Sequence, residues 1–183
     1  MLIVKLYVSA IKPIKAGANK VEENPIVVIL LTVVGMLSWE CLTAWRITKG
    51  TKLAIINFGA RLNECLKASI ALKKKGINIS IADARFAKPL DEHLIWQLAT
   101  DHEAIITIEE GSIGGFGSHV AKFLFEKNLL DNGLKFRSMI LPDKFIDQDK
   151  PELMYKLAAL DSHSIEERVI DLLNSNIVLQ KQK

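Results

Sequence analysis

Between Thr51 and Leu173, short apolar runs alternate with longer segments whose apolar residues recur at helical spacing. That alternation leaves few folds open. Leu53-Ala54-Ile55-Ile56-Asn57-Phe58 reads as a buried strand closed by Gly59. Arg61 to Lys75 carries Leu62, Cys65, Leu66, Ile70 and Leu72 near helical spacing, and Gly76 is a natural stop. Ile77 to Ala82 alternates as a strand does, and Asp91 is placed to cap a helix through Leu94, Ile95 and Leu98. Ala104 to Ile108 is a third strand, Gly115 to Asn128 a helix, and Phe136 to Leu141 a fourth strand stopped by Pro142. Ser162 or Ser164 caps a last helix ending near Leu173, with Glu166 and Glu167 in the first turn, where they suit the helix dipole. Strands and helices in this order predict a mainly parallel sheet covered on both faces, a three-layer α/β/α fold with right-handed crossovers.

Composition narrows the function classes. Apolar residues make up 49% of the 183 and charged residues 25%, a globular balance. Lysine plus arginine is 24 against 21 acids, a net +3. The basic residues are interleaved with acids and form no basic-aromatic stripe, so nucleic acid is not an expected partner. Two cysteines, Cys41 and Cys65, make neither a disulfide framework nor a zinc motif and point to a reducing compartment. His93, His102, His119 and His163 lack metal-ligand spacing, so no metal site is expected. Before residue 47 the chain has a different character. Ile26 to Trp39 is 14 residues without a charge, extended to Trp45 only by accepting Glu40. A membrane span needs about 20 apolar residues. A buried strand or core helix is therefore preferred over a membrane helix for 26–45. A secretory signal fits poorly, since acids precede the run and no cleavage site follows.

The densest local signal is Thr107-Ile108-Glu109-Glu110-Gly111-Ser112-Ile113-Gly114-Gly115-Phe116-Gly117-Ser118-His119. Four glycines fall within seven residues, between a strand and a helix. No G-K-[ST] follows, so it is not a P-loop, and Val120 stands where a dinucleotide fingerprint has its third glycine. Two readings remain. Free amides at the helix start can hold an anion, or the loop packs tightly against a neighbouring domain or subunit, which is preferred. Glu109 and Glu110 are neighbours on a strand end and point to opposite faces. One of them is expected to accept hydrogen bonds from loop amides rather than to serve in acid–base catalysis. His119 is either a proton carrier or an interface histidine. Asp83-Ala84-Arg85-Phe86-Ala87-Lys88-Pro89-Leu90-Asp91 and Leu141-Pro142-Asp143-Lys144-Phe145-Ile146-Asp147 follow strands at the same sheet edge. Asp83, Arg85 and Lys88 either form a local ion-pair net, which is preferred, or bind a phosphate. Three charged loops on one edge suggest a contact surface, and they assemble no nucleophile–base pair.

These segments, with Leu53 to Gly59, resemble the C-terminal domain of the 1-deoxy-D-xylulose-5-phosphate synthase family, a transketolase-like group of thiamine-diphosphate-dependent enzymes. The resemblance runs from about Lys49 to Leu173 in order. K-P-L-D alone points to transketolases at large, and E-E-G-S-I-G-G-F-G-S-H narrows it to the synthase. It implies a mainly parallel sheet of about five strands and a homodimeric parent enzyme with three domains. That parent condenses decarboxylated pyruvate with glyceraldehyde 3-phosphate in non-mevalonate isoprenoid synthesis, which also feeds thiamine synthesis. Thiamine diphosphate and magnesium would belong to the first two domains; the third packs against them and the dimer partner.

This chain departs from the pattern in three ways. It has no G-D-G metal motif. Ala10 to Gly17 stands where the family has an arginine-containing R-Y-P-R-G segment, and both arginines are missing. Glu23-Asn24-Pro25-Ile26 looks like the family's connection into the third domain, but Val27 to Trp45 aligns with nothing. The expected organisation is an unmatched segment 1–46 with the apolar run 26–39, a transketolase C-terminal-like domain 47–175, and a tail 176–183. The expected function is that of a synthase fragment, inactive alone, with no catalytic, cofactor or metal residue. The alternatives are a split subunit completing a partner that carries the cofactor domains, and a membrane-tethered remnant. Asp83, Arg85, Glu109, Glu110, Gly114, Gly115, Gly117 and His119 are the candidate interdomain or dimer-contact residues. The resemblance implies a cytoplasmic setting, bacterial or plastid-stromal.

Overall fold

The structure is a computed structural model that describes residues 44–180, with side chains through Asn174. These residues fall within one unit of the chain, Leu42–Lys183. The apolar run 26–39 and the segment around Ala10 lie outside the described residues. Five strands form one sheet: β1 Trp45–Thr48, β2 Leu53–Phe58, β3 Ser80–Asp83, β4 Ala104–Glu109 and β5 Lys135–Met139. Among the described residues five helices accompany them: α1 Leu62–Lys74, α2 Glu92–Asp101, α3 Phe116–Glu126, α4 Pro151–Leu157 and α5 Ser162–Gln180. The order across the sheet is β1-β3-β2-β4-β5. All neighbours are parallel except β1, which pairs antiparallel with β3.

Strands β2 and β4 lie at the centre and are buried along nearly their whole length. Their alternate residues serve two cores. Leu53, Ile55, Ile106 and Ile108 face Cys65, Ala68 and Leu72 of α1 and Ile165, Val169 and Leu172 of α5. Ala54, Ile56 and Ile105 face Leu94, Ile95 and Leu98 of α2 and Phe116, Val120, Phe123 and Leu124 of α3. Each buried Leu, Ile or Phe contributes about 1.5–3 kcal/mol, so the two layers hold the sheet jointly. Asp91 caps α2, one carboxylate oxygen accepting from Leu94 N–H at 2.9 Å and the other from Ala44 N–H at 3.0 Å. The cap therefore also ties the chain entering β1 to the sheet.

Several boundaries differ from the sequence reading. The third strand in chain order begins at Ser80, not Ile77, because the preceding residues are drawn to the β1–β2 connection. There Thr48 Oγ1 donates to the Ile79 carbonyl at 3.0 Å and Gly50 N–H to Ser80 Oγ at 2.9 Å. Strand β1 and helix α4 were not read at all: β1 exposes Trp45 and Ile47, and α4 buries no residue fully. Helix α5 continues past Leu173 to Gln180. Among the described residues no helix is long and apolar enough to cross a membrane.

Candidate functional site

The strands β2 to β5 all end on one edge of the sheet, where the loops of interest leave. Glu109 is the last residue of β4 and lies on the α3 side, only 3% exposed. Its carboxylate accepts from Phe116 N–H at 2.9 Å and from Gly117 N–H at 2.8 Å. The residue at the N-cap, Gly115, has no side chain to do this, so the strand supplies the cap to α3 from beneath. The glycine spacing follows from this arrangement. A Cβ on Gly115 or Gly111 would run into the Glu109 carboxylate. One on Gly117 would lie 2.7 Å from Thr107 Oγ1 and overlap Ser138 Oγ. Gly114 has φ +96°, a left-handed turn that suits glycine. The anion that this loop holds is the protein's own carboxylate.

Glu110 points to the opposite face, as strand alternation requires. Its Oε1 lies 2.8 Å from Nε of Arg61, off the line of a good hydrogen bond but within ion-pair distance. The Arg61 guanidinium stacks 3.5 Å above the ring of Tyr155 on α4. Hydrogen bonding to Glu110, with some help from burial, raises the Tyr155 hydroxyl above its usual range. In open α/β sheets the ligand crevice opens where strand order reverses, here between β2 and β4. Arg61 follows β2 and Glu110 follows β4, so their ion pair bridges that crevice beneath Tyr155.

The loop after β3 is organised differently from the expected ion-pair net. Asp83 accepts from Asn57 Nδ2 at 3.2 Å, and the same amide donates to the Gly59 carbonyl at 3.0 Å. Arg85 has φ +57°, and its guanidinium sits 4.5 Å over the Trp45 ring. Among the described residues no ion pair joins Asp83, Arg85 and Lys88. The physical reason is that β1, unread in the sequence, offers Arg85 an aromatic face. His119 is half-buried in the first turn of α3; its N–H donates to the Gly115 carbonyl at 3.3 Å, and its ring makes no hydrogen bond or ion pair among the described residues. Leu141 N–H donates to the Gly111 carbonyl at 2.9 Å, which joins the loops after β4 and β5. Ile113 and Phe145 on those loops are 76% and 103% exposed.

The edge thus brings together Asp83, Arg85, Glu110, Gly114 and His119, while Glu109 and Gly117 are buried and Gly115 half-buried beneath them. Sequence reasoning missed Arg61 and Tyr155; the charge at Arg61, just after a strand, was the one signal available. It also missed a buried pair at the opposite edge. Ser80 Oγ and His102 Nε2 are 2.8 Å apart, and His102 Nδ1 donates to the Leu98 carbonyl at 2.9 Å. Ser80 also receives Gly50 N–H, so the pair anchors the β1–β2 connection. Among the described residues no group of three His, Cys, Asp or Glu side chains converges for a metal. The amides at the start of α3 are already taken by Glu109.

A five-stranded sheet with one antiparallel edge strand, helices on both faces and a self-capped glycine loop defines a transketolase-type C-terminal α/β domain. A sequence model of the family described as "Transketolase, C-terminal domain" matches residues 43–165, and the chain belongs to that family. A solved "Split gene transketolase, inactive beta4 tetramer" is similar at 25% identity and TM-score 0.63, over 70% of this chain and 41% of that one. A Pichia stipitis transketolase mutant in complex with xylulose 5-phosphate shares the fold at 14% identity and TM-score 0.53, over 74% of this chain and 19% of that one. The chain thus spans less than half the length of these solved proteins.

Proposed function

We propose that this chain is the C-terminal domain portion of a 1-deoxy-D-xylulose-5-phosphate synthase-type enzyme, contributing a contact surface and no active site of its own. The observation that supports this most is the run Glu109 to His119. It resembles the synthase more specifically than transketolases at large, and its residues build a closed, self-capped loop rather than an open anion site. The contact would be made by Asp83, Arg85, Glu110, Gly114 and His119, with Ile113 and Phe145 as apolar anchors. Glu109, Gly115 and Gly117 would hold the loop in shape from below. Thiamine diphosphate and magnesium would be bound by other transketolase-like domains, and the partner is such a domain or a second protomer. A cytoplasmic or plastid-stromal setting goes with this reading.

The likeness to a split-gene transketolase favours one version of it: a separately encoded subunit that completes a partner carrying the cofactor domains. The test mixes the full chain with the first two domains of a synthase, thiamine diphosphate and magnesium. Formation of 1-deoxy-D-xylulose 5-phosphate from pyruvate and glyceraldehyde 3-phosphate is then followed. The mixture is expected to turn over and the chain alone is not. Turnover by the chain alone refutes the proposal. So does a mixture that works only with transketolase domains and ketose donors.

A further inference from the structure

Away from the loop edge, β5 is the outer strand of the sheet among the described residues, and no described strand pairs with its far side. Lys135 N–H donates to the Glu103 carbonyl at 3.0 Å, which sets the alternation along the strand. Lys135, Arg137 and Met139 turn their main-chain groups toward β4, and Phe136, Ser138 and Ile140 turn theirs outward. The Phe136 carbonyl is covered by its neighbour, since Arg137 Nη1 donates to it at 2.7 Å. Ser138 and Ile140 have no such cover among the described residues. Beyond Ile140 the next outward position is Pro142, which has no N–H to offer, so the edge ends there.

A cavity of about 480 Å³ lies against this open stretch. It is lined by Ser138 to Ile140, by the turn 158–160 that leads into α5, and by one face of α5 carrying Ser164, Glu167, Arg168 and Asp171. These four recur at three- and four-residue spacing beside the stripe that α5 buries, Ile165, Val169 and Leu172. An unpaired strand edge beside a helix is the geometry in which proteins add a foreign strand. The volume is in the range of ligand pockets and holds a few side chains of a peptide. Glu167 and Asp171 line it beside one guanidinium, Arg168, and Glu167 also meets His163 Nε2 at 3.4 Å; two acids against one guanidinium favour a basic side chain.

We propose that the Ser138–Ile140 edge and the α5 face beside it bind an extended peptide segment of a partner chain as a sixth strand. The segment pairs with the main-chain groups of Ser138 and Ile140 and sets a lysine or arginine between Glu167 and Asp171. Main-chain donors and acceptors repeating every second residue match a strand, and no small anion matches a groove with surplus carboxylates. Arg137 guards the remainder of the edge, so pairing starts at Ser138 and extends only if that guanidinium lets go of Phe136. This proposal is independent of the synthase assignment and of the loop contact surface.

The test uses the full chain and a fluorescent hexapeptide of alternating valine and threonine with one central lysine. Binding is read by anisotropy, and exchange of the Ser138 and Ile140 amides by NMR. Bound peptide is expected to slow exchange at those two amides by about tenfold or more at saturation. Ser138→Pro removes an outward N–H at an edge position, where proline is tolerated, and should weaken binding by about tenfold. Glu167→Lys with Asp171→Lys should weaken the lysine peptide and not one carrying glutamate instead. A peptide N-methylated at alternate residues tests the same bonds on the unaltered chain, and it should not bind. Binding that survives N-methylation, or leaves both amides unprotected, overturns the proposal. So does no binding at millimolar peptide. Protection of the same amides that rises with protein concentration alone assigns the edge to a second copy and overturns the peptide.

Discussion

Replacing Gly115 with alanine tests whether the glycine loop is shaped by the carboxylate beneath it. Gly115 has φ −76° and ψ −154°, a negative-φ conformation at the margin of the extended region, so backbone strain is the smaller part of the cost. The obstacle is the Glu109 side chain. A Cβ there would lie 2.9 Å from its Cδ and Oε1 and overlap Oε2. The carboxylate is the end of a flexible chain, but it is pinned by two amide donors at 2.9 and 2.8 Å. Displacing it forfeits two charge-assisted hydrogen bonds of roughly 1.5–3 kcal/mol each and strands two N–H groups. Some of that is regained because a buried charge no longer needs to be desolvated. The net loss for Gly115→Ala should be about 3 kcal/mol, and Glu109→Ala alone should lose a similar amount. With Glu109 truncated the space is vacant, and adding Gly115→Ala should cost less than about 0.5 kcal/mol, since alanine also restricts the unfolded chain. The coupling energy is thus about 3 kcal/mol. Urea unfolding of the full chain and the three variants, followed by circular dichroism, measures all four corners. Simple additivity of the two substitutions would refute the reasoning.

Two further outcomes follow from titratable groups. Glu64 on α1 takes Lys67 Nζ at 2.6 Å and Ser162 N–H, at the start of α5, at 3.1 Å. The Lys67 contact first, then the Ser162 bond, holds its carboxyl below the ordinary 4.5. A depressed folded pKa adds stability that is present above 4.5 and fades as pH falls through the lowered value. Glu64→Gln should therefore cost about 1 kcal/mol at neutral pH and progressively less as pH falls below the ordinary value, as read by urea midpoints. Cys65 is buried in the α1 core, and burial pushes its thiol up to about 12. In a Cys41→Ser background, a thiol reagent at mildly alkaline pH should label the folded chain only as fast as it opens, and at once in denaturant. Immediate labelling of the folded chain would show that the α1 core is not closed.

The legible parts of the fold are those where burial on both faces leaves a continuous apolar run. Leu53 to Phe58 and Ala104 to Glu109 are such runs, and the helices α1, α2 and α3 declare themselves by their stripes. Strand β1 left no such mark, because Trp45 and Ile47 stay exposed and only its antiparallel pairing with β3 makes it a strand. Helix α4 had none either, since it buries no residue fully and is attached through Tyr155. At the candidate site, strand alternation was enough to send Glu109 and Glu110 to opposite faces. It did not say that Arg61 would meet Glu110, or that Arg85 would turn to Trp45 instead of to an acid.

The order of the strands β2 to β5 and of the helices α1, α2, α3 and α5, the family and the need for glycine after β4 were determined by local residue patterns, because burial period and turn chemistry are local properties. Which carboxylate caps α3, what bridges the crevice between β2 and β4, and which strand edge stays open were decided only in three dimensions. Each of those depends on groups far apart in sequence arriving at one place, and their charges, amides and rings select partners only after the two cores have brought them there.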